Sequence, residues 1–149
     1  MAYDTQVLIE FCKQCWAEAK QSEDQRATLT NIILGIASAV TALIAQKGLA
    51  KDTLLLSILL IVLGIYGAVA SEKLYERYQM HSTRASVYRE RLDEFHPNAQ
   101  VLVRRSEAFK RHNPNFPKLR KIRLHYLWLT LHLFIALEGL ILSIIIIAQ

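Results

Sequence analysis

Two titratable residues interrupt an otherwise uncharged stretch at the end of the chain, YLWLTLHLFIALEGLILSIIIIAQ: His132 and Glu138. A carboxylate near the middle of an apolar span costs at least ~2.5–3.5 kcal/mol on insertion, so Glu138 should face protein or water, or be neutral. A helix turns ~100° per residue, so positions 132 and 138 lie ~120° apart around it. That is too far to pair within one subunit, and the two would meet only across subunits. One use of the pair is a polar constriction or proton-sensitive gate. The other is structural, an interhelical hydrogen bond from Glu138 to Asn31, Ser38 or Thr41.

A second candidate lies just upstream. RRSEAFKRHNPNFPKLRKIR, residues 104–123, carries eight Lys or Arg against the single acid Glu107. Three uses fit it. Topology alone would be satisfied by fewer cations. Juxtamembrane Lys and Arg also attract anionic lipid at about 1 kcal/mol each near the surface, and Lys118, Arg120, Lys121 and Arg123 are placed for that. Arg104, Arg105, Lys110 and Arg111 lie further out, where Arg forks can cradle phosphates while Tyr and Phe rings stack on bases. The ligand would be a nucleotide or short oligonucleotide, and Lys118, Arg120, Lys121 and Arg123 are counted with the outer four as residues that would bind it.

The remaining reactive residues are Cys12 and Cys15, in CKQC. A redox motif would want a strand before it, and a zinc site two further ligands nearby. Neither is visible, so two reduced, packed thiols are expected, in keeping with a cytoplasmic compartment. No Gly-rich phosphate loop, HExxH or nucleophile with a matched base occurs. An enzyme is not expected, and no cofactor or metal is implied.

The elements that must position these residues are set by charge spacing. Ala27–Gln46 has no charged residue over twenty positions, Leu54–Ser71 none over eighteen, and Tyr126–Gln149 only Glu138 over twenty-four. Such lengths match a ~30 Å hydrocarbon core at ~1.5 Å per residue. The expected fold is therefore an all-α membrane protein: three transmembrane helices with a small cytoplasmic helical layer, homo-oligomeric. Its segments are an amphipathic N-terminal helix (1–26), a transmembrane hairpin (27–46 and 54–71), a helical region with the basic cluster (72–125) and a third span (126–149). The N-terminus, with acids and no early basic region, does not resemble a signal peptide. Sixteen of the eighteen Lys and Arg lie in the N-terminal arm and in 72–125, which places both in the cytoplasm and the C-terminus in the periplasm.

Within these segments, Leu8, Phe11, Cys15 and Ala19 recur at helical spacing. Thr28, Asn31, Gly35, Ser38, Ala42 and Ala45 form a stripe of small and weakly polar residues, suited to close packing against span two or to a wet, pore-facing wall. An unbroken three-four seam runs from Ser57 through Tyr78, His81, Ala85, Tyr88 and Leu92 to Phe95, so the second helix should leave the bilayer. Its partner would be the N-terminal helix or the same helix of another subunit. His81 on this seam reads as a packed or paired histidine. Pro97 should end that helix, Asn98 cap a shorter one over Ala99–His112, and a helix from Lys118 run straight into span three.

This layout resembles the SLATT family, the SMODS and SLOG-associating two-transmembrane effectors of bacterial conflict systems. The resemblance covers roughly residues 5–95. It is carried by VLIEFCKQCWAEAK, by the runs NIILGIASAVTALIA and LLLSILLIVLGIYGAVAS, and by SEKLYERYQMHSTRASVYRERLDEF. The third span departs from that pattern. What the resemblance implies is a pore or channel of antiphage defence in the bacterial inner membrane. Its control would come from a partner, often a nucleotidyltransferase whose nucleotide product sets the open or closed state. One subunit's spans enclose no channel, so a pore requires oligomerisation about an axis; the assembly expected is a homotetramer, with Asn31, Ser38, His132 and Glu138 at pore or gate and Tyr78, His81, Tyr88, Leu92 and Phe95 at the oligomer seam. The rival expectation is a non-conducting membrane adaptor that recruits a cytoplasmic partner.

Overall fold

Helix-forming sequence runs through both span boundaries without a proline, and the backbone follows it. The computed structural model describes Ala2–Gln149, with side chains from Asp4 onward, and Met1 lies outside the described residues. Helix α1 spans Ala2–Lys47, α2 Leu54–Phe95, α3 Val101–His112 and α4 Leu124–Ala148. No strand occurs among the described residues. Three helices, α1, α2 and α4, are long and apolar enough to cross a membrane.

The helix ends have local causes. Gly48 takes φ 84°, a left-handed stop that L side chains rarely adopt, and its N–H donates to Ile44 O at 2.9 Å. A 3-10 turn, Lys51–Thr53, then starts α2; buried Thr53 Oγ1 accepts the Ala50 N–H at 3.2 Å. At the far end α2 stops at Phe95 because His96, as the residue before Pro97, is pushed out of helical conformation.

Two junctions differ from the expectation. Asn98 does not cap α3. The residue before α3 is Gln100, in the left-handed region at φ 50°, and the Asp93 carboxylate accepts the free N–H groups of Val101 (2.8 Å) and Leu102 (2.9 Å). A carboxylate there answers both the orphan donors and the positive helix end. Nor does a helix run from Lys118 into α4. Leu119–Lys121 is a 3-10 turn, closed by Ile122 N–H to Leu119 O at 3.0 Å, and Ile122 is extended. Lys118, Arg120, Lys121 and Arg123 would have crowded the first turn of a continuous helix, where cations oppose the helix dipole.

The chain forms two compact units. The first takes α1 up to Glu23 together with Glu76–Arg123. Here α1 and α2 pair along the seam. Cys15, Ala19 and Ala85 are buried, Phe11 stacks on Tyr88 with centroids 5.7 Å apart, and Cys12 Sγ points to Ala85 O at 3.7 Å. Glu18 Oε2 lies 2.8 Å from His81 Nδ1, off the line of a hydrogen bond. The Arg89 guanidinium sits over the Trp16 ring at 4.6 Å. Burial, and then the nearby Glu18 carboxylate, pushes the Cys15 thiol up from its ordinary value, so it stays protonated and unreactive at neutral pH. Both cysteines are free.

The second unit is Asp24–Tyr75 with Leu124–Gln149. Its core is Ile33, Ala37, Val40 and Ile44 of α1, Leu60 of α2 and Ile135 of α4. Backbones of α2 and α4 approach to contact. A Cβ added at Gly139 would stand 2.6 Å from Ser57 O, and one at Gly64 would run into the Ala136 backbone. Ser57 and Ser143 hydroxyls bond across the same contact at 2.8 Å. The outward faces are apolar, with Leu55, Val69, Phe134 and Ile147 all about two-thirds exposed or more. Water would penalise that belt, whereas lipid tails would not.

Candidate functional site

The candidate site lies on the outer surface of the second unit. Small residues on α1 leave space beside α4, and Glu138 fills part of it. Thr41 Oγ1 donates to Glu138 Oε1 at 2.7 Å. Around this pair runs an open groove of about 440 Å³, walled by Leu34, Ala37, Ser38, Ala42, Ala45 and Ile135. The hydrogen bond realises the structural partner expected of Glu138, yet it leaves the carboxyl lining an open groove.

The small-residue stripe does not pack against span two. Thr28, Asn31, Gly35, Ser38, Ala42 and Ala45 are all exposed, and a Cβ at Gly35 would meet nothing within 4 Å. The buried face of α1 is one step round, through Thr30, Ile33, Ala37, Val40 and Ile44. Bulkier aliphatics won the core because they bury more apolar area. Of the expected pore residues, Ser38 and Glu138 therefore share the groove, and Asn31 lies on the same open face of α1.

His132 does not join them. It is fully buried, its Nε2 is hydrogen-bonded to Thr30 Oγ1 at 3.1 Å, and its ring lies directly against Gly67, where a Cβ would overlap it. With no surface exposed it cannot reach Glu138 of another copy. It is a packed junction histidine, and its Nδ1 is buried without a hydrogen-bond partner.

The seam expected between subunits is likewise filled from within the chain. His81 and Tyr88 have α1 partners, and Tyr78 and Leu92 are half-buried on the same face. Phe95 is 40% exposed beneath the Arg91 guanidinium, 4.8 Å from its ring centroid. An intramolecular partner needs no association, so the N-terminal helix occupies the seam first.

Sequence reasoning missed a cluster of aromatic rings around one buried arginine at one end of the second unit. Arg26 is 2% exposed, its guanidinium 5.8 Å from the Tyr75 ring and 5.6 Å from Trp128, and His125 stacks on Tyr75 at 4.1 Å. Desolvated cation–π contacts are worth ~2 kcal/mol or more. The available signal was an aromatic belt: Tyr75, Tyr126 and Trp128 all sit at span ends, level with Arg26.

The basic residues stay open. Arg104, Arg105, Lys110, Arg111, Lys118, Arg120, Lys121 and Arg123 are all exposed. Arg104 Nε donates to Ala99 O at 3.3 Å, Arg105 reaches Ser86 Oγ at 3.5 Å, and Arg120 lines a shallow groove with His112, Asn113, Phe116 and Leu119. No family model, no curated protein and no solved structure matches the chain.

Proposed function

We propose that the chain is a subunit of a homo-oligomeric membrane channel, with the open face of α1 and the Glu138 groove turned toward neighbouring copies and the conduction path. The observation that carries this reading is a carboxyl hydrogen-bonded to Thr41 in a groove that one subunit leaves open at membrane depth. Lipid tails cannot solvate that carboxyl, so a second copy or water must cover it. Small residues on the same face allow close helix approach. The loop 48–53 and the C-terminus face the periplasm, and residues 72–125 the cytoplasm, by the bias of basic residues. Within this reading the outer set, Arg104, Arg105, Lys110 and Arg111, takes the anionic nucleotide-type ligand that the SLATT resemblance implies. The antiphage role and a nucleotidyltransferase partner belong to the same proposal.

Glu138→Gln tests the channel. The amide oxygen can still accept from Thr41, so fold and assembly should persist while cation selectivity falls by about tenfold as a ring of charge is removed. The readout is ion flux into liposomes together with light scattering of the detergent-solubilised protein. A monomeric, non-conducting parent protein would sink the channel and favour the adaptor. For the ligand, Arg104→Lys with Arg105→Lys keeps net charge but removes planar forks. Oligonucleotide or cyclic-nucleotide binding should weaken about tenfold and flux shift with it, as bidentate contacts become point charges. Equal binding and flux in the double variant would remove the outer set as the sensor.

A further inference from the structure

Between α3 and α4 the chain exposes large apolar side chains at a regular step of three. Phe116, Leu119 and Ile122 are 44%, 64% and 53% exposed. Phe116 and Leu119 line one open groove with Arg120, and Ile122 follows as the extended residue that closes the 3-10 turn Leu119–Lys121. Cations flank them at Lys118, Arg120, Lys121 and Arg123, and no acid occurs from His112 to Arg123. Arg123 is bonded to Leu124, the first residue of membrane-length α4. At ~3.6 Å per residue or less, the Leu119 backbone lies no more than ~18 Å along the chain from that helix. Exposed apolar side chains interleaved with Lys and Arg suit the interface plane of a bilayer, with apolar side chains at the acyl boundary and cations among headgroups.

We infer that residues 116–123 are a bilayer-surface dock: Phe116, Leu119 and Ile122 insert at the acyl boundary, and Lys118, Arg120, Lys121 and Arg123 hold the phosphodiesters of anionic lipids. Two features select lipid over a soluble phosphate. The exposed apolar side chains have a use only where hydrocarbon is at hand, and the four cations are exposed, the groove that Arg120 lines being open to water rather than enclosing a free anion. Continuity with α4 then brings the segment to the headgroups without any association step. Each cation near such a surface favours the anionic lipid about fivefold, the equivalent of about 1 kcal/mol. The dock concerns the inner cations alone and stands whether or not the α1 face conducts.

The test uses the full chain carrying Leu119→Trp in nanodiscs, with the Trp16 and Trp128 signal of the parent protein subtracted. Brominated phosphatidylglycerol should quench the added indole about threefold more than brominated phosphatidylcholine at equal mole fraction. Replacing Lys118, Arg120, Lys121 and Arg123 together by Gln should remove the difference, as should ~1 M salt, which shortens the screening length to ~3 Å. Should the fourfold variant fail to insert, the salt series on Leu119→Trp alone decides. Absence of quenching by either lipid overturns the dock, and equal quenching by both overturns its selectivity for anions. Displacement of phosphatidylglycerol by a stoichiometric short oligonucleotide overturns it in favour of a soluble ligand.

Discussion

Gly64→Leu is expected to prevent the second unit from assembling at all. Gly64 lies where α2 and α4 touch backbone to backbone. Even a methyl group there would overlap the Ala136 backbone and lie 2.6 Å from the His132 carbonyl oxygen. Neither neighbour is the free end of a side chain, so relief requires moving one helix bodily. That motion would also part Ser57 from Ser143 across the same two helices and, where α4 is the one that moves, His132 from Thr30 of α1, both buried hydrogen bonds. Overpacking alone costs ~1–3 kcal/mol, and loss of the buried His132–Thr30 bond ~1–3 kcal/mol more, while Ser57 and Ser143 keep their bonds to Leu54 O and Gly139 O. In detergent the variant should lose its monodisperse peak, or its unfolding midpoint should fall by roughly 10 °C or more. A midpoint unchanged within a degree or two would mean that α2 and α4 do not meet at Gly64.

Gly35→Leu should do the opposite. Its Cβ would meet nothing within 4 Å, so the subunit has room for the side chain. Removing a helix-interior glycine even favours the helix by roughly 0.5–1 kcal/mol. The folded subunit should be as stable as the parent, or slightly more so. Yet Gly35 lies amid Asn31, Ser38 and Ala42 on the open face of α1, where the channel reading needs another copy to approach closely. Filling that face should dissociate the oligomer and reduce liposome flux by about tenfold or more, because small-residue contacts between membrane helices depend on backbone proximity. The readouts are light scattering in detergent, flux, and the unfolding midpoint. Normal assembly with normal flux would show that the face is merely lipid-exposed. The two glycines thus separate folding from association, and neither result can be mistaken for the other.

Helix content and the number of membrane-length apolar helices were legible because both depend on local sequence. Charge-free runs of bilayer length allow only helix in hydrocarbon, and Gly48 and Pro97 mark the ends of α1 and α2 by backbone geometry alone. The three-four seam on α2 was legible for the same reason, as a periodicity. Its partner was not, since Tyr88 offers the same ring to a neighbouring copy or to Phe11 of its own chain, and chain connectivity favoured Phe11. The stripe on α1 was visible as a pattern, but which face of that helix is buried depended on how much area each face could bury against α2 and α4. Ile33, Val40 and Ile44 prevailed, and the small residues were left outside.

Among the candidate site residues the division is similar. That Glu138 must have a polar partner followed from the cost of a carboxyl in a span. That the partner is Thr41, beside an open groove, was set by the rotation of α4 against α1. The sequence by itself determined the lengths of the helices, their hydrophobicity and the clustering of charge, because these are properties of runs of neighbours along the chain. Only the tertiary structure decided that His132 is sealed against Gly67 and Thr30, that Arg26 lies between Tyr75 and Trp128, and that Asn31 and Ser38 look outward. Each of those outcomes depends on the relative rotation of long helices, and a turn of ~100° separates one residue's face from the next.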